Sequence, residues 1–507
     1  MKNIAVMPNL TKDMPSKERI TELVRWGLYT LCFIGILMHL VQYDNVYYQN
    51  EKNVQAGFVL ILFSVFLFVL QRVKLLNIPS LIVSIGYGIL AFFGTRMYLF
   101  APDVLPSQIL YRIAEWIALM VVVDMAVTKR VRRLKESNLW LFGILFVMLV
   151  LMEILYPNIE TRVYLWFFIL CLIPVTSKEW NIVFPALLTA GFLFSIVAAI
   201  LSHVINPYIG DEVVIRSLWG GFMANPARAG EFCDLLSGLA FIAVFYSRKR
   251  FGRFGFCYLT SVIWLLVTIV YGFLIGKSNY FVGLIVLLLF FFVFGLSNTK
   301  SPWLLLRGCL VLSVLFLTGY IVLDLIAVVA NTGFDSQKLY DVVNKTPLHL
   351  FPGFANRIVR KITSFSQKGV STELLGNPVL ALINSIASSR VVIARGIWKV
   401  TSFTHSTGKF LRYSTSHTGY IEPMYHYGYL AGGMNLLFFA SGLVTAIARY
   451  VKEKRFEYLA SFCLLALAFG VWTGEAETAL FPVTFMALFA VAPCMIGKDK
   501  KRERTKA

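Results

Sequence analysis

Solid apolar runs separated by short, charge-bearing connections recur along this chain. The pattern predicts helices, because a run of roughly 17 to 25 apolar residues crosses a hydrocarbon core as a helix, whereas the strands of a closed barrel alternate apolar and polar positions. In the first half the runs centre on residues 31–41, 54–70, 80–93, 113–127, 139–155, 163–175 and 182–203. In the second half they centre on 232–245, 256–275, 280–296, 303–330, 427–448, 458–472 and 480–496. The count is about fourteen, with a range of roughly twelve to fourteen because short runs such as the sixth are marginal in length.

Composition agrees with that reading. The 507 residues are 58% hydrophobic and only 15% charged, with a mean hydropathy of +0.71, whereas a soluble domain carries about 25% charged residues. The expected fold is an all-α, polytopic integral membrane bundle. Its expected divisions are N-terminal membrane helices over 1–203, central membrane helices over 204–330, a long loop over 331–425, and C-terminal membrane helices with a basic tail over 426–507.

The formal net charge of +20 then acquires a topological meaning. Basic clusters at 12–25, 71–74, 128–135, 177–180, 247–253, 300–307, 449–455 and 497–504 fall on alternate connections. Short basic loops stay in the cytoplasm, so a fourteen-span path with both termini cytoplasmic accounts for them. Scattered over separate loops, these residues argue against a nucleic-acid partner. The first apolar run follows a charged stretch with no small-residue cleavage pattern, so it is expected to be kept as an anchor. The seven cysteines all lie in apolar runs, where plain packing is expected rather than disulfides or a metal site.

The opposite face holds the 206–228 loop, the 276–279 turn and the long loop over about 331–425. A loop of that length without structure of its own is uncommon unless it is functional, so short helices within it are expected. It holds eleven Lys and Arg against four Asp and Glu, a balance suited to an anionic ligand. Within apolar runs, Arg112, Glu115 and Asp124 are costly in lipid and are expected to face the bundle or one another.

At the end of the long loop the chain reads HTGYIEPMYHYGYLAG from His417 to Gly432, a polar, histidine-led entry into an apolar helix. This segment resembles the closing motif of the O-antigen polymerase and ligase family, in which a histidine after a long outer loop leads into a helix carrying an acidic residue and two glycines. Here the pattern reads His417, Tyr420, Ile421, His426, Gly428 and Gly432. Thr418 replaces the usual Asn, His426 replaces the acid, and the second glycine comes one place late. Three further pieces are similar to the same family: SSRVVIARGIWKV at 388–400, GFMANPARAGEF at 221–232, and GKS at 276–278. The matched arginine is Arg390 or Arg395, and the serines before Arg390 favour it.

The resemblance implies a fold of the membrane glycosyltransferase type called GT-C. It also implies transfer of an oligosaccharide from an undecaprenyl-diphosphate donor to an acceptor sugar hydroxyl, on the extracytoplasmic side of a bacterial inner membrane. Such chemistry needs a group that takes a proton and cations that stabilise a departing diphosphate. His417 suits the first role and Arg390 the second. Lys277, Arg395, Arg216, Arg228, Tyr420 and His426 are candidates for binding the diphosphate or the glycan. No cofactor is expected and no metal site, protein cations standing where a metal would. The implied partners are the lipid-linked oligosaccharide, the acceptor glycan, membrane lipids, a chain-length regulator and a flippase.

Plainer readings stand beside these. His417 also reads as an interfacial helix cap, the arginines as a solvated helix face, Lys277 as a snorkelling lysine, and His426 with Tyr425, Tyr427 and Tyr429 as an interfacial aromatic belt. The same motifs fit a ligase that attaches a finished glycan to a lipid or protein. A lipid-linked oligosaccharide flippase shares the helix count but has no need of a histidine-tipped loop, and no internal repeat is evident by eye.

Overall fold

The computed structural model describes residues 16–42, 132, 137–155, 159–173, 177–204, 226–252, 255–275, 280, 283–286, 289, 335–345, 359, 396–399, 401–404, 419–472 and 482–497. These form α1 (Ser16–Gln42), α2 (Leu139–Leu155), α3 (Ile159–Leu172), α4 (Ser177–Val204), α5 (Pro226–Phe251), α6 (Phe256–Ile275), α7 (Ser336–Asn344), α8 (Glu422–Glu453), α9 (Phe456–Val471) and α10 (Pro482–Val491), which runs into a 3₁₀ turn, Ala492–Met495. Among the described residues there is no β-strand; Ser137 and Ile496 form an isolated bridge. The apolar runs at 54–70, 80–93, 113–127 and 303–330 lie outside the described residues, as do Arg112, Glu115 and Asp124. The run at 280–296 is helical wherever it is described.

Helix ends follow local chemistry more than hydropathy. α2 and α6 coincide with their apolar runs, but α1 starts at Ser16 and takes Lys17, Arg19 and Arg25 into the helix. α5 opens on Pro226, a residue suited to a first helical position because its missing N–H would have no intrahelical partner. Arg132, from the basic 128–135 connection, is buried. Its main-chain N–H donates to the Leu172 carbonyl and its guanidinium to the Ile173 carbonyl, both at 2.8 Å. A cation thus closes the C-terminus of α3, where carbonyls lack helical donors.

The chain divides into two compact units, one of residues 1–284, 433–471 and 477–507, the other of 285–432 and 472–476. In the first unit α5 is central and packs on α4, α6, α9 and α10. Small residues permit the close approaches: a side chain at Gly238 would strike Leu467, and one at Gly191 would strike Leu239. Among the described residues two helices, α5 over Ala229–Phe251 and α8, are long and apolar enough to cross a membrane.

α6 has an inverted amphipathicity. Its face toward α5 and α4 buries Cys257, Ser261, Trp264 and Thr268. Ser261 lies 3.1 Å from the Ser247 hydroxyl, and the Trp264 indole donates to Ser195 at 2.8 Å. The other face exposes Phe256, Leu259, Ile263, Leu266, Val267 and Val270, each 49–61% accessible. Polar groups face inward and apolar ones outward, the reverse of a helix on a water-soluble protein. α8 likewise exposes Leu437, Val444 and Val451 at seven-residue spacing.

Asn138 meets Met495, Phe184 meets Phe456 and Tyr246 meets Phe456, and Lys249 meets the Lys454 carbonyl. The first pair joins the residue before α2 to the turn after α10, and the other three join α4 and the end of α5 to the junction between α8 and α9.

In the second unit the long loop has structure of its own. α7 is capped by Asp335, whose carboxylate accepts from the Gln337 and Lys338 N–H groups. Leu339 and Val343, one turn apart, are its buried face. Residues 396–399 are also helical.

Candidate active site

Gly428 breaks α8 into two helical stretches. Its backbone stands at φ 80°, ψ 173°, a region open in practice only to glycine. The break deprives the first N–H groups of the second stretch of helical acceptors. The long loop supplies acceptors: Tyr429 N–H donates to the Ser402 carbonyl at 3.1 Å and Leu430 N–H to the Phe403 carbonyl at 2.9 Å. Just beyond the break the chain turns back, so that a Cβ at Gly432 would stand 2.5 Å from the Met424 Cα and N. The two glycines are therefore the residue that breaks the helix and the residue that lets the backbone pass close to Met424.

Tyr429 ties the two motif segments together. Its hydroxyl donates to the Trp398 carbonyl at 2.6 Å, and its ring lies 4.7 Å from that of Trp398. Ile397 is buried beside them while Trp398 is 66% exposed. The C-terminal half of the 388–400 segment is thus fixed against the segment that begins at His417.

On the N-terminal side of the helix, Gly419 N–H donates to the Trp472 carbonyl at 3.0 Å. A side chain at Gly419 would meet the Trp472 ring. Tyr420 packs edge-to-face on Trp472 with centroids 6.0 Å apart, and partial burial holds its hydroxyl above the ordinary tyrosine pKa. The turn entering α8 is therefore anchored to the chain leaving α9.

His426 and Glu422 form a pair across one helical turn, Nε2 to Oε1 at 3.0 Å. Glu422 is buried. The Glu422 carboxylate thus reaches the His426 ring from one turn earlier. Tyr427 is buried and Tyr429 is committed to Trp398, so the ring residues of this turn have different surroundings.

The remaining site candidates divide cleanly. His417, Arg390, Arg395, Lys277 and Arg216 lie outside the described residues; His417 precedes Gly419 by two positions and Arg395 immediately precedes the helical residues 396–399. Arg228 belongs to the first turn of α5. No protein-family model matches the chain, and no curated protein or solved structure matches it.

Sequence reasoning passed over three acids. Glu422 counts only as a loop charge until α8 is seen to begin with it. Glu231 and Asp234, in the first unit, are fully buried on α5. Asp234 lies directly against Gly283, where no side chain has room. One turn on, Ser237 is 3.3 Å from the Tyr280 hydroxyl, which also lies 3.4 Å from the Thr268 carbonyl. Acids at i, i+3 within an apolar run were the available signal, since an intramembrane carboxylate is costly and by default functional.

Proposed function

We propose that this chain is a polytopic inner-membrane glycosyltransferase of about fourteen spans that polymerises a cell-surface polysaccharide on the extracytoplasmic side. The inverted amphipathicity of α6 supports the membrane reading. The reading of the chemistry rests on the sequence resemblance. The observation that carries it furthest is the union of two motif segments through Tyr429, Trp398, Ser402 and Phe403. Segments about thirty residues apart need not meet, and a transferase with a proton acceptor on one and a diphosphate-binding arginine on the other requires that they do.

In this reading the acceptor hydroxyl gives its proton to His417 as its oxygen attacks the anomeric carbon of the donor sugar. The bond from that carbon to the diphosphate breaks, and undecaprenyl diphosphate leaves with its charge held by Arg390, assisted by Arg395 and Lys277. Arg216 and Arg228 attract the anionic donor, while Tyr420 and His426 contact glycan. No cofactor takes part. A ligase would use the same donor half, and a flippase would use neither His417 nor the arginine.

The test is the glycan ladder of a deletion strain complemented with wild type, H417A, R390K or R395K. Polymerase activity predicts single repeat units without polymer in the deletion and in H417A. A ligase predicts full-length polymer that stays on its lipid carrier, and a flippase predicts no repeat units outside. Wild-type chain lengths in H417A would overturn the assignment.

A further inference from the structure

Two basic connections meet at one surface of the first unit. The last turn of α5 carries Arg248, Lys249 and Arg250, the last turn of α8 carries Lys452, and the connection from α8 to α9 carries Lys454 and Arg455. They are joined where the Lys249 ammonium donates to the Lys454 carbonyl at 3.3 Å, and Tyr246 packs on Phe456 with ring centroids 4.6 Å apart. Two of the arginines are occupied within the fold. Arg250 donates to the Tyr246 hydroxyl at 2.6 Å, and Arg455 pairs with Glu453 and Glu457. Lys249, Lys452 and Lys454 are exposed, and their sequence neighbours include Phe251 and Val451, 40% and 58% accessible.

The backbone at Lys454 adds a second observation. α5 and α8 close in the same way: Gly252, at φ 79°, donates to the Arg248 carbonyl at 3.2 Å, and Lys454, at φ 52°, donates to the Tyr450 carbonyl at 2.8 Å. The left-handed position after a helix is ordinarily glycine, which alone adopts it without strain. At 454 the chain carries a lysine there instead, with its ammonium 5.3 Å from the Tyr450 ring centroid. A strained conformation kept for the sake of a side chain is a sign of function.

We propose that Lys249, Lys452 and Lys454 bind the phosphate headgroup of an anionic phospholipid, with the exposed apolar residues beside them against its acyl chains. The inference rests on the membrane reading above and not on the glycosyltransferase chemistry. Lysines suit a headgroup because each is a mobile point charge, and basic residues beside a membrane helix attract anionic lipid electrostatically.

The experiment compares thermal unfolding of the full-length chain in detergent with added phosphatidylglycerol, phosphatidylcholine or soluble glycerol phosphate. Phosphatidylglycerol is expected to raise the Tm by a few degrees and the other two to leave it unchanged. Lys454→Gly relieves the strained backbone, so in detergent alone its Tm equals or exceeds wild type, while its response to phosphatidylglycerol falls by half or more. The triple variant K249Q/K452Q/K454G should lose the response. An undiminished response in the triple variant, an equal response to phosphatidylcholine, or an equal response to glycerol phosphate overturns the proposal alone. A chain monodisperse without detergent overturns the membrane reading and the proposal with it.

Discussion

Glu422 and His426 stand 3.0 Å apart, the carboxylate 3% exposed and the imidazole 35% exposed. A buried acid beneath an accessible imidazole restricts how the ring can turn and which nitrogen is available outward. Removing one partner of a surface i, i+4 pair costs about 0.3–0.5 kcal/mol, whereas a bond to a buried charge is worth about 1.5–3 kcal/mol. A double-mutant cycle of E422Q and H426Q, read by unfolding in detergent, should give a coupling of about 1 kcal/mol between those limits. Strictly additive effects would remove the pair from any role in fixing the ring.

The glycines entering α8 give a graded prediction. Gly428→Ala forces a side chain into a conformation that costs about 1–3 kcal/mol. Gly432→Ala drives a methyl group onto the Met424 backbone, which has no rotamer by which to yield. A Cβ at the next residue, Gly433, meets nothing within 4 Å, so G433A should be neutral or add up to about 1 kcal/mol through helix propensity. Thermal unfolding of the three variants checks the order, and a G433A as damaging as G432A would contradict the fold-back at Gly428.

Tyr420 fixes the sign of a pH effect. Burial raises the pKa of its hydroxyl above the ordinary value of 10.0, so the folded chain favours the neutral phenol. That contribution is fully present below the unfolded pKa and is lost as pH rises through the higher folded one. Stability should therefore decline from about pH 10 upward. Y420F should remove part of that slope in alkaline unfolding while keeping the edge-to-face contact with Trp472.

What could be read from the sequence follows from which forces are local. Helices such as 139–155 and 256–275 were legible end to end because an apolar run is itself the signal. The start of α1 at Ser16 and of α8 at Glu422 was not, because charged residues extend a helix beyond its apolar part without any change in hydropathy marking the place. The sequence around Gly428 displays two glycines but not what they do. The acceptors at Ser402 and Phe403 lie about twenty-five residues away, and no periodicity links them to the break. Glu422 was hidden for the same reason: its pairing with His426 exists only once both share a helical turn. The inverted faces of α6 are written in Ser261 and Thr268 against Leu259 and Ile263, but an even apolar run conceals which side meets protein.

The contact between Asp234 and Gly283 makes the buried acids of α5 open to test without knowledge of a substrate. Gly283→Ala places a methyl group on the Asp234 carboxylate, so it should destabilise the first unit by overpacking, typically by about 1–3 kcal/mol. Asp234→Ala removes a buried carboxylate and leaves space at the same point. If the glycine is there to accommodate the acid, the cost of G283A should shrink by about 1 kcal/mol or more in the D234A background, because contacting residues couple while distant ones add. Additivity would show that the glycine serves some other neighbour. An E231Q control, one turn toward the start of α5, should leave the G283A cost unchanged, which separates this contact from a general loosening of the helix.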